Sequence, residues 1–327
     1  MFNRKPKSTI DPTDEHRDWR LIESVVSDVL AEQKTARRWG IVFKSLTFVY
    51  LFALLLIFKS GSIGVEAGPS DPHTALVQIN GVIAADKDAS ANAIVSGLRA
   101  AFKNEHAKGV IVAINSPGGS PVQAGYIYDE IMRLRKQHPQ TKLYAVISDL
   151  GASGGYYIAA AADEIYADKA SLVGSIGVTG SGFGFVDSME KLGVERRHFT
   201  AGEHKAFLDP FSPLKEGEKT FWLKVLNSIH DQFVTAVKRG RGDRLNTDSG
   251  QLFSGLIWNG QQALELGLID GLGSAGYVAR EVIGAEEVVD YSNRRPLFEE
   301  LFRKLGIAVG EGVAGSVSIS QVPLQLR

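Results

Sequence analysis

Two glycine-rich turns each follow a run of β-branched residues, and each stands where a helix is predicted to begin. The first turn covers residues 115–120 (NSPGGS) and the second covers residues 151–155 (GASGG). Glycine lets a substrate carbonyl approach the backbone closely, and helix N-termini leave amide donors unpaired. The two turns together could therefore bind a developing oxyanion. Either turn alone is explained as well by ordinary helix capping.

Ser153 lies at the centre of the second turn and matches the G-x-S-x-G nucleophile elbow, which places a serine on a sharp strand-to-helix turn. An α/β-hydrolase-type esterase would pair this serine with a histidine, and His198, His204 and His230 follow it in the sequence. Each of these histidines, taken alone, is more simply a surface or core residue. The sequence has no cysteine, no H-E-x-x-H pair, no Walker A motif and no dinucleotide fingerprint. Covalent catalysis would then use oxygen or nitrogen, and neither a cofactor nor a metal is predicted.

Four motifs in a fixed order carry a resemblance to a known family: residues 115–119 (NSPGG), 151–159 (GASGGYYIA), 174–178 (GSIGV) and 200–205 (TAGEHK). In this order and at these spacings they resemble the short form of the signal peptide peptidase A family and its sibling, the SohB-type inner-membrane proteases. The likeness covers roughly residues 75–272. It implies an α/β protein with the Clp protease/crotonase-like fold of repeated ββα units, a Ser/Lys dyad and no cofactor.

Carried over residue by residue, the resemblance implies that Ser153 is the nucleophile and Lys205 the general base. Gly119 and Gly154 would offer their amides to the oxyanion, and Ser175 would hydrogen-bond the lysine. A free lysine, with a pKa of ~10.4, is almost fully protonated at neutral pH and cannot accept a proton, so the base would need an apolar, substrate-covered cleft that lowers its pKa. Residues 206–208 (AFL) fit such a cleft, and the carboxylate at position 203 is expected to point away.

Composition divides the chain into five stretches: a cytoplasmic amphipathic tail at residues 1–40, a transmembrane anchor at 41–58, a linker at 59–73, a peptidase domain at 74–290 and a C-terminal tail at 291–327. The anchor has a single charge and, as a helix, would span ~27 Å of hydrocarbon. A cleaved signal peptide with a site near residues 65–67 is the alternative, although its leader would be unusually long. A core helix is the other alternative.

The positive charges flanking the anchor predict its orientation. Lys34, Arg37 and Arg38 precede the span, whereas Lys59 is the one basic residue close behind it. This bias places the N-terminus in the cytoplasm and the catalytic domain on the outer, periplasmic side of a bacterial inner membrane.

Periodicity predicts the main elements of the domain. Strands are expected at residues 75–79, 109–114, 143–147 and 196–200, and helices at 122–137, 154–162 and 215–239. Two further amphipathic helical patterns cover residues 13–38 and 297–314.

Charge and resemblance together define the expected partners. The net charge of -1 gives no field that would attract nucleic acid, so no such partner is predicted. The family cleaves remnants of signal peptides, so the expected partners are apolar peptides, the lipid bilayer and further copies of the chain, since active sites in the short form are shared between subunits. Three other functions stay open: the Ser–His esterase, an inactive membrane scaffold of the same fold, and an acyl-CoA enzyme.

Overall fold

The computed structural model describes residues 25–27, 32–35, 37–54, 70–247 and 250–292. The chain divides into two units, Met1–Gly68 and Pro69–Arg327. In the first unit, residues 37–54 are helical and exposed. Among all described residues, no helix combines the length and the apolar character needed to cross a membrane.

Several sequence predictions reach beyond the described residues. The last four residues of the predicted anchor, 55–58, lie outside them, as do residues 59–69 of the linker and residues 293–327 of the C-terminal tail. Within the predicted amphipathic helix of residues 13–38, the described residues are helical, and the remainder lies outside the described part. The anchor, the linker and the two tails therefore stay predictions.

The second unit is built on an eight-stranded sheet. Its strands are β1 (His73–Asn80), β2 (Ala107–Ser116), β3 (Leu143–Ala152), β4 (Glu164–Ala167), β5 (Leu172–Gly174), β6 (Ile257–Asn259), β7 (Gly271–Leu272) and β8 (Val288–Asp290). The strand order is β6-β5-β3-β2-β1-β8, and β4 lies between β3 and β7. The β5–β6 pair is antiparallel and the other pairs are parallel. The three long strands come from runs rich in valine and isoleucine, as β-propensity predicts.

Helices connect the parallel strands and cover the sheet, because parallel neighbours need crossover connections. They are α1 (Ala91–Lys103), α2 (Pro121–Gln137), α3 (Gly154–Ala159), α4 (Val186–Lys191), α5 (Glu216–Arg241), α6 (Gly260–Glu265) and α7 (Ala275–Tyr277). The predictions for α2 and α5 are confirmed to within two residues, whereas the helix predicted over residues 154–162 ends at Ala159. The mixed α/β architecture is as predicted.

The core lies on both faces of the sheet, which is typical of parallel strands. On one face, side chains of β1 and β2 such as Val77 and Val112 are fully buried with Leu98 of α1 and Ile127 of α2. A smaller cluster covers the other face and joins β2 and β3 to the π-helical segment Val278–Ile283 that follows α7; it comprises Ile111, Tyr144, Val146, Val278 and Ala279.

Strand β3 changes its neighbour partway along its length. Its first part pairs with β4 through Tyr144–Ile147, and its last three residues, Leu150–Ala152, pair with β5. The register between β2 and β3 also shifts between Ile114 and Ser116, an irregularity of the kind that often lies beside active sites. The end of β3 therefore no longer pairs with β4, and the chain can make a sharp turn there.

The strand predicted over Arg196–Thr200 is wrong, because these residues form no regular element. A strand needs a neighbour with which to exchange backbone hydrogen bonds. Here Arg196 bonds instead to the carboxylate of Asp209, and Phe199 is 90% exposed. All five residues, 196–200, are exposed within the single chain.

A buried ion pair fixes the C-terminal end of α5 to the sheet. Arg241, with a side chain 1% exposed, donates to both carboxylate oxygens of Asp270 at 2.6 and 3.0 Å. Asp270 also accepts the backbone N–H of Ile165 in β4 at 2.7 Å and a bond from Arg244 at 3.1 Å. Burial alone would raise the pKa of Asp270, but the bonds and charge of Arg241 lower it.

We expect Asp270→Asn to lower the free energy of unfolding by about 3 kcal/mol at neutral pH, because it leaves the buried charge of Arg241 uncompensated. Since the folded-state pKa of Asp270 is depressed, its contribution is present above the pKa of the unfolded chain and is lost as the pH falls through the folded-state value. Urea denaturation at neutral and acidic pH measures both effects. Glu281→Gln, in the exposed Arg280–Glu281 pair, is the control and should change stability by less than about 0.5 kcal/mol.

Candidate active site

Ser153 occupies a strained turn between β3 and α3. Its φ of 50° and ψ of −121° lie in a region that side chains other than glycine rarely adopt. Two backbone bonds hold it there: its N–H donates to the carbonyl of Gly174 at 2.9 Å, and its carbonyl accepts the N–H of Tyr157 at 2.9 Å. The sharp strand-to-helix turn anticipated from the G-x-S-x-G match is therefore present.

The hydroxyl of Ser153 is not used as a helix cap. At the equivalent position of the first glycine turn, Ser120 caps α2 by accepting the N–H of Gln123 at 3.4 Å. Ser153 makes no such bond, although it is the N-cap residue of α3. Capping thus explains the serine of one turn and leaves the other serine available for chemistry.

The first glycine turn lies directly against Ser153. A Cβ added to Gly118, whose φ is 95°, would lie 2.7 Å from both the Cβ of Ser153 and the amide nitrogen of Gly154. A Cβ added to Gly154 would in turn lie 3.4 Å from the amide nitrogen of Gly119. Within the described chain, neither the Gly119 nor the Gly154 N–H donates a hydrogen bond to another group. Two free amides beside one serine hydroxyl are the components of an oxyanion hole.

The position of Gly119 is set by a segment that precedes the turn by more than thirty residues. Ile83 forms a parallel bridge with Gly119: its N–H donates to the carbonyl of Gly118 at 2.9 Å, and its carbonyl accepts the N–H of Ser120 at 2.8 Å. This pairing uses the groups on either side of Gly119 and leaves the Gly119 amide free. Sequence reasoning missed the bridge, because no local pattern marks one isolated pair.

If the Gly119 amide is an oxyanion donor, we expect Gly119→Ala to reduce kcat/KM for peptide hydrolysis by about 10²- to 10³-fold, because a shifted turn would carry this N–H away from the oxyanion. The added Cβ would lie 2.1 Å from the carbonyl oxygen of Ile83, so the turn would have to move. Steady-state kinetics would measure the loss. Gly125→Ala is the matched control, because nothing lies within 4 Å of its added Cβ inside α2 and activity should persist. Retention of full activity by the position 119 variant would contradict an oxyanion role.

A cavity of about 50 Å³ opens beside Ser153. Helix α5 supplies one wall through Ile229, Gln232 and Phe233, and α3 supplies Tyr157. Burial raises the pKa of Tyr157, so its phenol stays protonated. Sequence reasoning missed the residues of α5; their i, i+3, i+4 spacing predicts a buried helix face but does not say that the face borders the site.

Ser175 is connected to the site by the backbone, because it directly follows Gly174, whose carbonyl accepts the N–H of Ser153. Ser175 has a φ of 51°, and its N–H donates to the carbonyl of Leu256 at 2.7 Å. His230 of α5 lies 3.1 Å through its Nε2 from the carbonyl oxygen of Ile176, which fixes the next residue of the motif.

The structure does not bring Lys205 to Ser153 within the single chain. Lys205 lies in a series of turns, its N–H donates to the carbonyl of Gly202 at 3.1 Å, and its side chain is exposed. Among the described residues, its amine makes no hydrogen bond to Ser153 or Ser175. Glu203, expected to point away from this amine, lies 4.0 Å from His204.

The three histidines that could have served an esterase are also occupied elsewhere. His230 contacts the Ile176 carbonyl, His198 lies 3.2 Å from a guanidinium nitrogen of Arg196, and His204 faces Glu203. None of them hydrogen-bonds Ser153 in the described part of the chain. The Ser–His alternative therefore gains no support from the geometry.

The fold and the serine turn define a class of protein. A family model described as Clp protease matches residues 74–170, which run from β1 past β4 and include both glycine turns and Ser153. A second model, described as peptidase family S49, matches residues 135–288, from the end of α2 to β8. The chain belongs to peptidase family S49, and the resemblance to signal peptide peptidase A is confirmed.

Curated relatives agree with this assignment. A putative signal peptide peptidase SppA of Enterococcus faecium is 31% identical over 217 residues, which is 64% of this chain and 62% of that protein. A putative protease of Methanocaldococcus jannaschii is 31% identical over 218 residues, 64% of this chain and 68% of that protein.

A longer relative carries a different name. A protein of Brucella abortus named Na(+)/H(+) antiporter NhaA is 46% identical over 231 residues, which is 70% of this chain and 30% of that protein. The chain therefore spans less than a third of that relative, and the transport activity in its name is not carried over to this chain.

Proposed function

We propose that the protein is a serine endopeptidase in which Ser153 is the nucleophile and Lys205 the general base. One observation carries this proposal. Ser153, with a φ of 50°, has a hydroxyl that makes no capping bond and lies beside the free amides of Gly119 and Gly154. The three other open alternatives lack such support: none of the described histidines hydrogen-bonds Ser153, as an esterase would require, and neither a scaffold nor an acyl-CoA enzyme requires a serine hydroxyl without a capping bond at this turn.

The proposed reaction begins when the Oγ of Ser153 attacks the carbonyl carbon of the scissile peptide bond and its proton passes to the Nζ of Lys205. The Gly119 and Gly154 amides would then donate to the oxyanion of the tetrahedral intermediate. As the intermediate collapses, the C–N bond breaks, the leaving amine takes the proton from Lys205, and an ester to Ser153 remains. Water, deprotonated by the same lysine, then attacks the ester carbonyl carbon. As the C–O bond to Ser153 breaks, the lysine returns that proton to the Oγ of Ser153, and the carboxylic acid product is released.

A homo-oligomer is part of the proposal, because the lysine that serves each Ser153 would come from a neighbouring copy. The exposed position of Lys205 in the single chain supports this arrangement. So does the exposure of large apolar side chains in the segment around it, namely Phe183, Leu192, Val194, Phe199 and Leu214. A second copy would bury these side chains and remove water from the amine.

We further propose that the substrates are apolar peptides such as the remnants of signal peptides, and that residues 41–58 hold the enzyme in a bacterial inner membrane with its catalytic domain outside. The name of the Enterococcus relative supports the first proposal, and the low charge of residues 41–58 supports the second. Ser175 is proposed to hydrogen-bond the lysine.

A fluorophosphonate probe tests the nucleophile directly. Applied to membranes that contain the full chain, it should label one serine, and peptide mapping should locate the label at residue 153. The same preparation should cleave an internally quenched apolar peptide, and the label should abolish that cleavage. An unlabelled protein that also leaves the peptide intact would favour the inactive scaffold.

A further inference from the structure

The two ends of the segment that contains Lys205 are joined by the carboxylate of Asp209. Asp209 forms an ion pair with Arg196, so residues 196 and 209 are the two ends of a loop that contains the lysine. The Asp209 side chain is 7% exposed, whereas Arg196 is 32% exposed. We call this pair the loop clamp.

The carboxylate of Asp209 is held in place by several donors. The Ser212 hydroxyl donates to Oδ2 at 2.8 Å, and the backbone N–H of Phe211 donates to Oδ1 at 3.3 Å. Burial alone would raise the pKa of Asp209, but the bonds from Ser212 and Arg196 lower it. The carboxylate therefore stays ionised and remains a partner for the arginine.

The arginine is oriented from a second side. Its guanidinium lies 5.0 Å from the centre of the Phe211 ring, and Nη2 lies 3.2 Å from Nδ1 of His198. A guanidinium has no acceptor, so Nδ1 of His198 must accept this bond. Both ends of the loop thus converge on one planar cation whose orientation is fixed.

The turn between Lys205 and the clamp is attached to α5. Phe207 packs edge-on against the rings of Phe221 and Trp222, at centroid distances of 5.6 and 6.2 Å. Leu208 has a φ of 53°, a left-handed conformation that is costly for leucine, and its N–H donates to the carboxylate of Glu218 at 3.3 Å. Leu208, three positions after the lysine, is thus held by one bond to Glu218, and this bond fixes the direction of the turn that precedes α5.

We propose that the Arg196–Asp209 clamp is a positioning device for Lys205: it fixes the loop so that the lysine is presented to a serine outside the chain's own surface. This inference rests on the proposed function. Asp209 and Arg196 would act through Lys205 and would not touch the substrate.

A mutant cycle tests the clamp. We expect Asp209→Asn to lower kcat/KM by about 10- to 100-fold, because a displacement near 1 Å costs an enzyme about that much. In a Lys205→Ala background the same substitution should have no further effect, since there is no base left to position. Arg196→Gln should repeat this pattern, and Arg196→Lys should restore part of the activity. The control is Glu195→Gln, which removes an exposed pair at 3.1 Å in the same segment and should leave kcat/KM unchanged.

Amide hydrogen exchange gives a readout that does not depend on activity. Exchange over residues 197–208 should accelerate in Asp209→Asn and in Arg196→Gln, while exchange in β1 to β3 stays as in the wild-type protein. The proposed positioning role would be contradicted by unchanged exchange in that loop. An equal loss of kcat/KM with and without Lys205 would contradict it as well. The proposed function fails by a different result, in which Ser153→Ala or Lys205→Ala keeps wild-type activity.

Discussion

The Ser153→Ala protein should lose peptide hydrolysis by at least about 10⁴-fold in kcat/KM, because removing the nucleophile of a covalent mechanism leaves the contributions of binding and oxyanion stabilisation alone. The substitution deletes one oxygen that makes no capping bond, so the fold should be unaffected. Burst kinetics with an activated ester, followed by steady-state peptide hydrolysis, would show the loss of both acylation and turnover.

A serine with a structural hydroxyl provides the matched control for this experiment. Ser274 caps α7 by accepting the N–H of Tyr277 at 3.2 Å, so Ser274→Ala should lower stability by about 1 kcal/mol and leave kcat/KM nearly unchanged. Wild-type turnover in the Ser153→Ala protein would remove this residue from the mechanism.

The Lys205→Ala protein should lose about 10²- to 10⁴-fold in kcat/KM, the usual contribution of a positioned general base. Lys205→Arg separates the two roles that a cation could have. Arginine keeps the positive charge but cannot be deprotonated in a protein, so it should be as inactive as alanine if the amine accepts the serine proton. Substantial activity in Lys205→Arg would instead assign the residue an electrostatic role.

Two further variants complete the lysine experiment. Lys136→Ala, an exposed lysine in the last turn of α2, should behave as wild type. The Ser153→Ala, Lys205→Ala double variant should be no less active than Ser153→Ala alone, because residues that act as one unit show non-additive losses. Losses that multiply would mean that the two residues act independently.

Sequence reasoning went furthest where one local rule decided the outcome. Apolar runs predicted the three central strands, and helical periodicity predicted α2 and α5 to within two residues. The two glycine turns were anticipated from their residues, and the family resemblance implied that Gly119 and Gly154 serve Ser153; the oxyanion role of their amides remains a prediction.

What could not be predicted depends on pairing between distant segments. Arg196–Thr200 was predicted as a strand, yet among the described residues it has no strand beside it, and a local sequence pattern cannot supply a neighbour. The bridge from Ile83 and the ion pair of Asp270 with Arg241 likewise join residues whose types are common and whose contact is set by the tertiary fold. The approach of Lys205 to a serine would depend on contacts beyond one chain, so it remains a prediction.

The bridge between Ile83 and Gly119 has a consequence for protein engineering. The segment between β1 and α1 looks like a surface connection suited to an inserted tag, but its first residues hold the glycine turn beside Ser153. A peptide inserted after residue 85, where the chain is exposed, should be tolerated. The same peptide inserted between residues 81 and 83 should leave the domain folded but abolish the proposed peptidase activity.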